Sequence, residues 1–325
     1  MTLKLVSPNK LGLCSTRLAR LMAVLTDEVA RKRLPGAVAV VARHGKMALF
    51  DSVGQLNPNT GELMHRDARF RIYSMTKPIV SVAAMMLMEE GSLLLSDPVA
   101  KYLDEFSQQQ VAVQAGNEVQ LVPVRRAATV HDLLRHTAGM TYEFLGSGPV
   151  QRQYAQLRVG SRERGLAEFT QRLASLPLMF EPGSVFEYSR ATDVLGRVLE
   201  VVSGQPLQSL LRERIFEPLA MPDTAFAVPA QHHEHIAEPF LRDPEGGVQM
   251  KVIDVRADTA LASGGGGLVS TALDYARFLQ FMLNRGELDG VRLLGPQTVD
   301  FMTTDHLGDI AVASGGSRAL LPLGH

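Results

Sequence analysis

Arg71-Ile72-Tyr73-Ser74-Met75-Thr76-Lys77-Pro78 sets a serine three residues before a lysine, at the mouth of an apolar run. Residues i and i+3 of a helix share a face, so Lys77 can reach the Ser74 hydroxyl. A serine hydroxyl is a poor nucleophile until a base takes its proton. A lysine helps only when desolvation or nearby cations keep it neutral. The run that follows, Ile79-Val80-Ser81-Val82-Ala83-Ala84-Met85-Met86-Leu87-Met88, is apolar on nearly every face and predicts a buried helix. Pro78 fits in or beside the first turn, where backbone N–H groups are free anyway. Ser74 is then expected at a helix N-terminus, where free N–H groups and the dipole favour a developing negative charge. S-x-x-K is nonetheless common, and a serine near a helix start with an exposed lysine one turn on is the bland alternative.

Composition bounds what else the chain can be. Its 325 residues are 46% hydrophobic and 21% charged, an ordinary globular balance for one domain with an insertion or for two domains. A formal net charge of −1 supplies no basic field for nucleic acid or anionic lipid. Cys14 is the single cysteine, which excludes an internal disulfide and a cysteine-rich metal site. No stretch approaches the roughly 18 apolar residues of a membrane span. The best N-terminal apolar stretch, Leu21 to Leu25, is followed at once by Asp27 and Glu28, unlike a signal peptide, so the cytoplasm is expected.

Outward from the motif, the pattern reads as mixed structure around a helical stretch. Thr16 to Arg33 predicts an amphipathic helix, and Gly36–Arg43 with Met47–Gly54 a hairpin about His44-Gly45-Lys46. The buried helix should stop at Gly91. Ser96 to Leu103 reads as a short helix, and Thr129-Val130-His131-Asp132 opens another with a capping-box-like start. Residues 162–176, 186–204 and 207–216 read as helices, residues 140–165 and 222–260 mostly as loops. The glycine run Gly264 to Gly267 introduces a helix from Ala272 to Asn284.

Five ordered blocks carry a resemblance. They are Phe70 to Lys77 with its helix, Glu90-Gly91-Ser92-Leu93 leading to Asp97-Pro98-Val99, Leu133 to Gly139, Pro182-Gly183-Ser184 with Tyr188-Ser189-Arg190, and Gly264 to Phe278. Together they resemble the serine β-lactamase and penicillin-binding-protein superfamily, and most the branch of class C β-lactamases and related family VIII-type carboxylesterases. The resemblance covers about residues 15–305. It implies an α+β fold of β-lactamase/transpeptidase type, an antiparallel sheet flanked by helices with an inserted all-helical subdomain. The expected division is 1–72 and 261–325 as parts of the α/β subdomain and 73–260 as the mainly helical one. It also implies roles: Ser74 as the nucleophile forming an acyl-enzyme, Lys77 assisting proton removal, and Tyr188 as general base toward Ser74 and later toward water. A phenolate is a strong base but rare at neutral pH, so a nearby cation such as Lys77 makes it available. The Ser74 N–H would supply half of the oxyanion hole.

Two features depart from that pattern. Arg190 stands where the family's second motif, Y-x-N, has asparagine; it has no acceptor and a fixed charge, which counts against β-lactam hydrolysis. No K-T-G-like or H-x-G-like third motif follows Asp309, so the C-terminal strands look incomplete and the chain truncated. The expected function is cleavage of small carboxylic esters through an acyl-enzyme on Ser74. The alternatives are a β-lactamase or D-amino-peptidase relative, and an inactive homologue acting at most as a binding protein. No cofactor and no metal are expected; the partner is a small ester or amide, and oligomeric state is open. His232-His233-Glu234-His235 is not H-E-x-x-H and reads as solvated histidines, and His136 as bonding nearby backbone. No G-x-S-x-G occurs, which argues against an α/β-hydrolase.

Overall fold

The computed structural model describes residues 3–115 and 118–313. In chain order, β1 (Lys4–Leu5) and α1 (Ser15–Ala30) precede β2 (Gly36–Arg43), β3 (Lys46–Asn57), β4 (Glu62–Leu63) and β5 (Arg69–Arg71). Next come α2 (Thr76–Glu89), β6 (Gln110–Ala115), β7 (Glu118–Pro123), α3 (Val130–Leu134), α4 (Pro149–Gln156) and α5 (Leu166–Ala174). They are followed by β8 (Val185–Phe186), α6 (Ala191–Ser203), α7 (Leu207–Leu211), β9 (Val269–Thr271) and α8 (Ala272–Leu283). The chain forms two compact units. One takes the residues up to Ile72 with Arg212–Asp258 and Leu268–Val299. The other takes Tyr73–Leu211, Thr259–Gly267 and the described residues from Asp300 on. The segment expected as one helical piece, 73–260, is thus shared between them.

In the first unit the expected hairpin forms, with β2 and β3 antiparallel from Gly36↔Gly54 to Arg43↔Lys46. His44 and Gly45 both have positive φ (53° and 70°), the requirement of a tight two-residue hairpin turn. β1 adds to β3 in parallel and β4 antiparallel, while β5 pairs with β9 from Arg69↔Thr271 to Arg71↔Val269. Leu56, Met64 and Ala68 form one buried cluster; Val228, Ile236, Val255 and Val269 form another. Residues 222–260 stay largely irregular, apart from a 3₁₀ turn over Ala230–His235.

In the second unit α2 is the buried helix its composition demands: Ile79, Val80, Val82, Ala83 and Ala84 are all sequestered. It packs on α6, which buries Val194, Leu195, Val198 and Leu199. Each such aliphatic side chain contributes about 1.5–3 kcal/mol by leaving water. Glu90 caps the helix and Gly91, at φ 72°, turns the chain away. The α3 capping box is complete, Thr129 accepting from the Asp132 N–H and Asp132 from that of Thr129.

Several sequence expectations are revised. Residues Ser96 to Leu103 form only a short 3₁₀ turn, Val99–Lys101. The helix expected over 207–216 is α-helical to Leu211 and then widens into a π-type turn. Residues 140–165 are not all loop, because α4 lies within them. Its polar sequence buries only Val150, Gln151 and Tyr154, too sparse for the periodicity to register. The β6–β7 pair was unexpected for the same reason, since β7 is mostly exposed. No helix among the described residues is long and apolar enough to cross a membrane. The expected loss of a third motif falls mainly on Ser314 to His325, which lie outside the described residues. Just before them, Ala311–Val312 pair in parallel with β8.

Candidate active site

Ser74 lies in the 3₁₀ turn Tyr73–Met75, which runs directly into α2 at Thr76. Tyr73 has φ 44°, a left-handed backbone that costs a non-glycine residue roughly 1–3 kcal/mol and is concentrated at functional sites. The Ser74 hydroxyl is solvent-exposed and Lys77 half-buried, one turn on. Lys77 Nζ donates to Ser74 Oγ at 3.2 Å, to the Gly265 carbonyl at 2.6 Å and toward Tyr142 Oη at 3.5 Å. Three acceptors match the three N–H bonds of an ammonium ion. The same nitrogen lies 4.5 Å from the Tyr188 ring centre, over a face that attracts a cation.

Tyr188, between β8 and α6, brings its hydroxyl to 2.5 Å from Ser74 Oγ. Ser74, Lys77 and Tyr188, named from the sequence, thus converge on one oxygen. Tyr142 is a second phenol at the site, but it is buried, and burial, then the charge of Asp193, pushes its ionisation far above the ordinary tyrosine range. Burial thus favours its neutral phenol form.

Behind Lys77 the glycine run is a close backbone passage. A Cβ at Gly264 would lie 2.6 Å from the Thr192 carbonyl oxygen, and one at Gly265 2.9 Å from Asp193 Oδ2. Asp193, fully buried, accepts from Gly265 N–H at 2.9 Å and from Ser263 Oγ at 2.5 Å. It thereby fixes the peptide whose carbonyl holds Lys77. Arg190 does not project into open space. Its guanidinium bonds Glu143 at 2.5 Å, lies 3.6 Å from Asp193 and stacks 4.7 Å over the Tyr142 ring centre.

His136 is buried with its ring 4.9 Å from that of Tyr188, and its Nδ1 accepts from the Ser189 N–H at 3.3 Å. Burial, with the charge of Lys77 second, depresses its pKa to about 3, so it is a neutral packing and hydrogen-bonding group. His233 turns back to the Val228 carbonyl at 2.9 Å. Sequence reasoning did not single out Tyr142 or Asp193, whereas Gly265 lies in the glycine run it read as a tight backbone passage near the active cleft. Asp193 carried one usable signal, an acid one helical turn after Arg190 and two residues before Leu195 of the apolar stripe Leu195, Val198, Leu199.

The sequence profile of the family described as Beta-lactamase matches residues 20–324. An uncharacterized protein of Mycobacterium tuberculosis is 38% identical over 279 residues, 85% of this chain and 69% of that one. Esterase EstB of Burkholderia gladioli is 37% identical over 304 residues, covering 86% and 74%. Among solved structures, EstCE1, a hydrolase with promiscuous acyltransferase activity, superposes with a TM-score of 0.72 at 28% identity, covering 87% and 75%. The fold is of β-lactamase/transpeptidase type.

Proposed function

The chain belongs to the Beta-lactamase family and is a serine hydrolase, and from that premise we propose that it cleaves small carboxylic esters through an acyl-enzyme on Ser74. One observation carries the reading: Ser74 Oγ is held at 2.5 Å by Tyr188 Oη and at 3.2 Å by Lys77 Nζ. With Tyr188 deprotonated beside the Lys77 ammonium, its oxygen takes the Ser74 proton as Oγ attacks the ester carbonyl. The Ser74 N–H, at the entrance to α2, is a donor for the oxyanion. Tyr188 then returns the proton to the departing alcohol, and the same oxygen activates water to hydrolyse the acyl-enzyme.

Esters are favoured over β-lactams by Arg190. In place of an amide side chain, the site carries a guanidinium engaged by Glu143 and Asp193. The name of Esterase EstB supports the same choice. A cytoplasmic location is part of the proposal, checked by fractionating source cells. The decisive assay is p-nitrophenyl butyrate hydrolysis by the chain and its Ser74→Ala variant, with nitrocefin in parallel. Turnover that disappears with Ser74→Ala is expected. Equal rates in both proteins would remove Ser74 from the mechanism, and faster turnover of nitrocefin than of the ester would make the chain a β-lactamase.

A further inference from the structure

Within the first unit, two segments far apart in sequence place two imidazoles around one carboxylate. His65 Nδ1 lies 2.7 Å from Asp67 Oδ1, and His235 Nδ1 lies 3.1 Å from Asp67 Oδ2. Donor atoms of all three residues fall within 4.8 Å of one another. The His235 contact is not a satisfied hydrogen bond: Nδ1 is shielded from solvent and has no partner of acceptable geometry. A buried ring nitrogen in that condition calls for an explanation.

The three side chains are held by anchored backbone. Met64 and Ala68, which bracket His65 and Asp67, are buried with Leu56. Ile236, next to His235, is buried in the neighbouring cluster and bridges to Arg69, and the Ala237 N–H bonds the Arg69 carbonyl at 2.9 Å. The cation nearest in sequence is diverted, Arg66 reaching Asp51 at 3.2 Å and lying over the Phe50 ring. Asp67 remains 66% exposed, so an ion can enter from solvent.

We propose that His65, Asp67 and His235 form a binding site for one divalent first-row transition-metal ion, with Zn²⁺ as the fitting case. Two imidazoles and a carboxylate are a common ligand set for such ions, the remaining positions being filled by water. Bond lengths of about 2.0–2.2 Å require donors no more than about 4.4 Å apart, so the donors, now within 4.8 Å of one another, would draw together on binding. The ion supplies the partner that His235 Nδ1 lacks and cross-links the 65–67 loop to the Ala230–His235 turn.

The test uses untagged, EDTA-stripped full chain titrated calorimetrically with ZnCl₂. One saturable site per chain is expected, with a zinc-dependent rise in melting temperature. Both should vanish in the His65→Ala/His235→Ala double variant while circular dichroism is unchanged. Should that variant not fold, Asp67→Asn replaces it and should weaken binding by about tenfold or more. Absence of saturable uptake, or undiminished uptake in these variants, overturns the site. So does uptake lost instead in His131→Ala, because His131 and His306 form a separate pair, 3.4 Å apart.

Discussion

Two phenols lie near Lys77, and burial separates what each can do. Tyr142 is sunk beside Asp193 and held neutral, while Tyr188 is half-buried and touches Ser74. Removing each hydroxyl should therefore have unequal consequences. Tyr188→Phe is expected to slow acylation by a factor on the order of 10²–10⁴, the loss of a positioned base. Tyr142→Phe should cost less than about tenfold, since the hydroxyl it removes meets Lys77 only at a long 3.5 Å. Pre-steady-state bursts with p-nitrophenyl butyrate measure both, and comparable losses would contradict the assignment of the base to Tyr188. At this scale the sequence was informative where a motif has short spacing. Ser74 and Lys77 are three residues apart, so helix geometry alone predicts their contact. Tyr188 could be named only through the resemblance. Asp193 and Tyr142 act through neighbours remote in sequence, and no local pattern marks them.

At the level of elements, α3 and the residues beyond it form an acid-sensitive joint. Burial alone would raise the Asp132 pKa, but Arg126, the Thr129 N–H, Thr137 and Arg135 together hold it well below the usual carboxylate range. Its stabilising contribution is present above about pH 4 and is lost as pH falls further. His136 acts earlier. Its folded pKa of about 3 lies below the ordinary value of 6.5, so the unfolded chain binds the extra proton. Stability should therefore decline as pH falls from about 6.5 toward 3, by about 1.4 kcal/mol per pH unit. Urea unfolding at several pH values tests this. His136→Asn, which tolerates the left-handed backbone at φ 57°, should flatten the slope between pH 6.5 and 4.5. An unchanged slope would place its origin elsewhere. The α3 start was legible as T-x-x-D because a capping box is local. The role of His136 was not, because its neighbours Ser189 and Tyr188 come from a distant segment.

For the molecule as a whole, a formal net charge of −1 supplies almost no net charge to steer a charged substrate. For a neutral ester, kcat/KM should change less than about twofold between about 0.02 and 0.5 M NaCl, since an uncharged substrate offers screening nothing to act on and the chain's net charge is small. A steep salt dependence would reveal a charged patch that composition conceals. Amphipathic and apolar periodicity in the sequence determined α1, α2, α6 and α8, the β2–β3 hairpin, the closeness of Ser74 to Lys77 and, through ordered motifs, the family. Each of these follows from interactions between residues near in sequence, or from blocks that recur together. Only the tertiary structure decided that Lys77 is triply hydrogen-bonded, that Arg190 is tied down by Glu143 and Asp193, and that residues 212–258 belong with the first unit. Those outcomes depend on contacts between segments brought together by burial of α2, α6 and the two aliphatic clusters. Burial is non-directional, so the hydrophobic pattern that drives it does not specify which polar groups finish side by side.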